Sequence, residues 1–222
     1  MNPRHHLDPA TIVSHAAGAL SPEMAAVVAT HLEGCGHCRQ AVAQADGIGG
    51  ALMAQRQGAE LPEDRQARLR RAMLERLDSA GAPGRAPDAP TPSSDPDRLP
   101  APLHPYFGNS YRALKWRWMG PGMHFIRTVG PSGGTLLMLR IGPGKRMPVH
   151  GHQGSELTQI LRGAYDDALG HFSAGDIADL DAEVEHQPVT TPGTACICVA
   201  ALDGPLRFPG WLARTLQPVF RV

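Results

Sequence analysis

Residues 144–163 read GKRMPVHGHQGSELTQILRG, and how this stretch is parsed decides the fold of the C-terminal half. In an extended strand successive side chains point to opposite faces, so His150 and His152 share one face. Glu156 follows a turn through Gly154 and can re-enter that face. A third imidazole on another strand would complete a cage of three His and one carboxylate. His186, within EVEHQP at 183–188, sits where that strand is expected, with His171 as the second choice. Surface histidines have no reason to keep this spacing. Three imidazoles and a carboxylate suit Zn²⁺, and also Mn, Fe or Ni.

Around this motif the chain runs in short apolar segments, at 135–141, 157–161, 189–191 and 195–202. Turn signals separate them at Gly130-Pro131, Gly142-Pro143-Gly144, Gly175-Asp176 and Pro192-Gly193. The texture is all-β, a barrel or sandwich. Cys196 and Cys198 fall on one face of a late strand, where buried thiols act as small hydrophobes. The acidic run from Asp176 to Glu185 reads as a solvated edge beside His186.

Upstream the texture changes. Eight of the 21 prolines lie between Pro83 and Pro105. Each removes a backbone donor and fixes φ, so residues 81–105 read as a semi-extended linker between a domain at 1–80 and another at 106–222. The first domain is Ala-rich and helical. Asp8-Pro9 and Ser21-Pro22-Glu23 are start signals for two helices. A third begins near Cys38, and Gly47, Gly49 and Gly50 predict a break or a close helix contact in it. A fourth, from about Glu63 to Leu77, gathers Leu69, Met73, Leu74 and Leu77 on one face.

His31, Cys35 and Cys38 end the second helix and open the third. Two thiolates and an imidazole are a zinc donor set that wants a fourth ligand. His5 and His6 are the nearest candidates, with His15 and His37 behind them. A metal staple would contribute much to so small a helical unit. The competing reading is a Cys-x-x-Cys redox pair, but no βαβ context supports it.

Lys+Arg and Asp+Glu both number 21, which argues against direct nucleic-acid binding or a polybasic membrane surface. The N-terminus lacks an apolar signal region and no run approaches a membrane span, so a cytoplasmic location is expected. There is no phosphate loop, Ser-His-Asp set or paired-carboxylate motif, and no catalytic residue is assigned.

The pattern Gly144-x5-His150-x-His152-x3-Glu156-x6-Gly163 resembles the first motif of the cupin family. Its second motif is looser: Ala174 precedes Gly175-Asp176, and Pro188 follows His186. The resemblance implies a C-terminal cupin barrel with His150, His152, Glu156 and His186 as metal ligands. Residues 4–77 resemble the zinc-binding anti-sigma domain, most closely its ChrR-type members, in which the upstream ligand corresponds to His6. His6, His31, Cys35 and Cys38 would then hold Zn²⁺ in an all-α domain. The resemblance implies an anti-sigma factor whose N-terminal domain grips a group IV (extracytoplasmic-function type) sigma factor. Its fourth helix would pack between the sigma domains through Leu69, Met73 and Leu77. The cupin domain would serve release after an oxidative insult, singlet oxygen in the best-known members. The competing functional reading is a metal-dependent cupin oxygenase or isomerase with a helical accessory domain.

Overall fold

The computed structural model describes residues 3–56, 58, 60–79, 95–130 and 133–207. Helix α1 (Pro9–Ala16) starts where the Asp8 carboxylate accepts the Ala10 N–H at 2.7 Å. Helix α2 (Pro22–Gly34) starts on Ser21, whose hydroxyl accepts from Met24 N. Both place Pro first, where its missing N–H costs nothing. Helix α3 (Gly36–Gln55) is capped by the Cys35 sulfur, which accepts from Cys38 N at 3.4 Å. It runs unbroken through Gly47, Gly49 and Gly50. A Cβ at any of the three would meet nothing within 4 Å, so neither the expected break nor a close contact occurs. Ala41, Val42 and Ala45 anchor its first half on the core, and a nucleated helix propagates one hydrogen bond per residue beyond its anchor. Helix α4 (Glu63–Ser79) buries none of its residues. No described helix is long and apolar enough to cross a membrane.

A short helix α5 (His104–Phe107) leads into the β-region. Its strands are β1 (Arg117–Gly120), β2 (Met123–Val129), β3 (Thr135–Ile141), β4 (Gly151–His152), β5 (Glu156–Arg162), β6 (Ala164–Asp167), β7 (Gly170–Ser173), β8 (Ile177–Leu180), β9 (Val189–Thr190), β10 (Cys196–Leu202) and β11 (Leu206–Arg207). They form a six-stranded sheet in the order β1-β2-β3-β10-β5-β8, a three-stranded sheet β7-β6-β9 and a two-stranded sheet β11-β4.

The expected cupin barrel is therefore corrected to a helical N-terminal domain and a β-sheet domain whose sheets do not close. Among the described residues β1 and β8 end the large sheet, and no ladder joins it to the other two. The cause is legible locally. Pro148, Pro188 and Pro192 flank β4 and β9 and remove ladder donors, and both strands are two residues long. Isolated bridges, His150 with His186 and Arg146 with Val189, and scattered backbone hydrogen bonds such as Met147 N to Pro188 O continue the pairing there without forming a ladder.

The core runs through both halves of the chain. Leu7, Ile12, Val27, Val28 and Cys38 from the helical part share one cluster with Leu136, Leu157, Ile177 and Val199 from the sheet. Strands β5 and β10 are buried on both faces, with Leu157, Val199 and Ala201 toward α2 and Ile160, Cys196 and Cys198 toward the interior. Of the Pro-rich stretch 81–105, residues 81–94 lie outside the described residues. Leu99 and Leu103 are fully buried in the shared cluster, and Ala101 N donates to Glu33 Oε1 at 3.2 Å. Arg162 lies 3.6 Å over the Tyr111 ring and donates to Pro96 O, which ties this segment to β5.

Leu103→Ala is expected to lower unfolding stability by about 2–5 kcal/mol, the cost of a buried Leu deletion. Denaturant titration checks this, and a freely solvated spacer would show no change.

Candidate metal centres

The first cluster forms where α2 ends. Cys35 leaves α2, caps α3, and directs its sulfur toward Cys38 one turn on. His6 Nδ1 lies 3.3 Å from Cys35 Sγ and 3.7 Å from Cys38 Sγ. One donor atom from each of His6, His31, Cys35 and Cys38 lies within 4.8 Å of the others. His31 is buried, and its Nδ1 faces two acceptors, Gln159 Oε1 at 3.0 Å and Gly175 O at 3.1 Å. Its proton therefore sits on Nδ1, and Nε2 is a buried lone pair without a hydrogen-bond partner. An orphaned lone pair beside two thiols fits a zinc-type donor set.

The electrostatics agree. Burial pushes the His31 imidazole below its ordinary value despite its two acceptors, and burial followed by His37 lowers His6. Both are thus neutral, the form a metal requires. Burial pushes the Cys38 thiol up to about 11, so without a cation it keeps its proton. His5 is directed elsewhere: its ring stacks on Phe172 at 3.9 Å and its Nε2 donates to His171 O. His37 lies 4.3 Å from the His6 ring but outside the group, and His15 is also outside it.

The second cluster brings together His150, His152, Glu156 and His186, all buried, with one donor atom each within 4.8 Å. His171 is not among them. It pairs with Asp166 at the surface. Gly163, the last position of the motif, has φ +68, and a Cβ there would come within 2.6 Å of Ala195 O. Only Gly lets β5 turn into β6 at that point.

His150 Nδ1 donates to Pro148 O at 2.9 Å, and His186 Nδ1 donates to Asp167 Oδ2 at 3.0 Å. The two Nε2 atoms then face each other at 3.1 Å, and in the neutral form of both rings these are two opposed lone pairs. A shared cation removes that repulsion. His152 Nε2 lies against Glu156 Oε2, and neither of its ring nitrogens makes a well-directed hydrogen bond. Burial opposes ionisation of Glu156, but His152, His150 and the Thr158 hydroxyl outweigh it and hold the carboxyl at about 2. An anionic carboxylate and three buried imidazoles converging on one point suit Zn²⁺ or another transition metal.

Four residues with roles here escape sequence reading. Asp167, whose side chain is fully buried, orients His186. Gln159 orients His31, and Thr158 donates to Glu156. Asp176, expected on a solvated edge, is instead buried. It accepts the Arg4 and His5 backbone N–H groups on Oδ1, and the Ser173 backbone N–H and hydroxyl on Oδ2. No spacing rule marks them, because each acts across a long sequence separation or from the ordinary face of a strand. Cys196 and Cys198 are buried in the interior cluster, as packing predicts.

Comparison with known proteins places the chain in a family. A family model described as the ChrR Cupin-like domain matches residues 108–205, and a zinc-finger model matches residues 12–39. The anti-sigma-E factor ChrR of Cereibacter sphaeroides is 40% identical over 224 residues, covering 100% of both chains. The crystal structure of Rhodobacter sphaeroides SigE in complex with the anti-sigma ChrR matches with a TM-score of 0.73. There the identity is 34%, covering 91% of this chain and 100% of that one.

Asp167→Asn is expected to weaken metal retention at the second cluster about 10–100-fold while leaving the first unchanged. Metal analysis after graded chelator challenge measures it. Equal retention would remove Asp167 from the site.

Proposed function

This chain belongs to the ChrR anti-sigma factors, regulators of transcription rather than catalysts, and from that premise we propose that it sequesters a group IV sigma factor of the extracytoplasmic-function type. The observation that carries the reading is α4. Leu69, Met73, Leu74 and Leu77 line one face, are about half to two-thirds exposed, and with Leu61 edge a shallow apolar cleft. An amphipathic helix normally buries such a stripe, and this chain offers it nothing to pack against among the described residues. A partner surface of matching apolar character would cover it.

In this reading residues 1–80 grip sigma. His6, His31, Cys35 and Cys38 hold Zn²⁺, which supplies folding free energy by joining α2, α3 and the N-terminal arm. Residues 106–222 form the responsive unit. His150, His152, Glu156 and His186 hold Zn²⁺, with Mn, Fe or Ni as alternatives. Release follows an oxidative insult, singlet oxygen by the family resemblance. The cupin-like domain would favour a state of the complex in which sigma is held more weakly. Each 1.4 kcal/mol so lost raises the dissociation constant about tenfold.

Met73→Asp and Leu77→Asp should each weaken sigma binding by about 2–4 kcal/mol, the range of an interface hot spot. Being exposed, they should shift stability by no more than about 0.5 kcal/mol. Co-expression with a candidate sigma factor and co-purification tests the reading. Undiminished capture by both variants would exclude α4 as the gripping face.

His150→Ala or Glu156→Ala should still repress a sigma-dependent reporter but fail to derepress it under singlet oxygen. Their side chains line the interior and leave α4 untouched. Metal analysis of each variant accompanies the reporter assay. A metal-depleted variant that induces normally would separate this cluster from release.

A further inference from the structure

We propose that the β-sheet domain supplies the outer sphere of the N-terminal metal centre, with Gln159 as the positioning residue for His31 and Asp176 as the anchor of the arm that carries His6. The inference rests on reading His6, His31, Cys35 and Cys38 as a metal centre, and it extends that reading to residues more than a hundred positions away.

Gln159 lies mid-strand on β5 and is 3% exposed, on the face that carries Leu157 toward α2. A buried amide on an apolar face is costly unless its hydrogen bonds are met. Its Nε2 donates to Ile160 O at 3.1 Å, which orients the amide and leaves Oε1 toward His31 Nδ1. The second acceptor, Gly175 O, comes from the turn before β8. Ligating histidines are held in one tautomer and one ring orientation by an acceptor on the other nitrogen. Here both acceptors belong to the other domain.

The His6 side is built the same way. Asp176 Oδ1 accepts Arg4 N at 2.6 Å and His5 N at 3.0 Å, the two residues that precede His6. Asp179 Oδ2 accepts Asp8 N at 2.9 Å, on the far side of His6. The turn is itself locked to β5, since Gly175 N donates to Ile160 O and Ile160 N donates to Asp176 O, each at 2.9 Å. Gln159, Gly175 and Asp176 therefore move as one unit. Two and three residues before Gln159 on the same strand, Leu157 packs on the helices and Glu156 faces the second cluster. One strand thus carries a ligand candidate of one centre and the outer-sphere anchor of the other. Any state of the sheet domain that displaces β5 must change the affinity of the N-terminal centre, and by linkage the reverse also holds.

The test uses the full-length protein loaded with Co²⁺. The cobalt–thiolate charge-transfer band reports the N-terminal centre alone, because the second cluster has no sulfur donor. Titration of the band with chelators of graded strength gives the affinity. Gln159→Leu, which keeps volume but removes the acceptor, should weaken Co²⁺ binding about tenfold. Gln159→Glu, which retains an acceptor at the same place, should stay close to wild type. If Gln159→Leu loses helical circular dichroism, the unbranched Gln159→Met carries the comparison. Wild-type affinity in the acceptor-free variant would overturn the proposal. So would equal weakening in the Leu and Glu variants, which would reduce Gln159 to packing. Absence of a thiolate band in the wild type would instead overturn the metal-centre reading, and the inference with it.

Discussion

The arrangement depends on two strands being buried on both faces. Strands β5 and β10 pack α2 on one side and the interior cluster on the other, so any polar side chain buried on them needs a partner. The buried polar residues on β5 are Glu156, Thr158 and Gln159, and each is used by one of the two clusters. A buried polar group on such a strand persists only where its hydrogen bonds or ligand bonds are met. The same strand therefore gives the protein its core and fixes the relation between its two candidate metal centres.

The helical part depends on that sheet. Helices α1 to α3 contribute small residues, and their largest buried side chains meet Leu136, Leu157 and Val199 rather than one another alone. Beyond Ala45, α3 leaves the core, and Ile48, Leu52 and Met53 are exposed. The exposed apolar surface thus starts where the shared core stops and continues on α4. The division follows from the chain's own packing: the half that is covered holds the His6 cluster, and the half that is uncovered is the half available to a partner.

Much of this was legible in the residues, and the reasons are specific. His150, His152 and Glu156 follow strand alternation plus one turn, and His31, Cys35 and Cys38 follow a helix end plus one turn, so local geometry suffices to gather them. The strands at 135–141 and 195–202 were readable because continuous apolar runs mark strands buried twice. Strands β1, β2, β6 and β7 mix exposed, half-buried and buried positions without alternation long enough to read. The choice between His5 and His6 needed tertiary structure, because Phe172 claims one ring and the cysteines face the other. Asp176 was misread because an acidic run is usually solvated. Here backbone N–H groups from the N-terminal arm satisfy its carboxylate and hold it below the ordinary range, although burial alone would raise it.

Closure of the β-region was misjudged for a reason that bears on the second cluster. A barrel motif in sequence specifies ligands and turns, not strand length, and the prolines around β4 and β9 leave too few donors for continuous ladders. The residues of the second cluster consequently come from two sheets and an isolated bridge that no ladder joins into one sheet. His152 lies on β4 of the two-stranded sheet, Glu156 on β5 of the six-stranded sheet, and His150 and His186 on an isolated bridge. Asp167, which orients His186, ends β6 of the third sheet. A cation bound by these four side chains would add a cross-link to the backbone hydrogen bonds that pair His150 with His186. Through Glu156 that cross-link reaches β5, the strand that also faces His31.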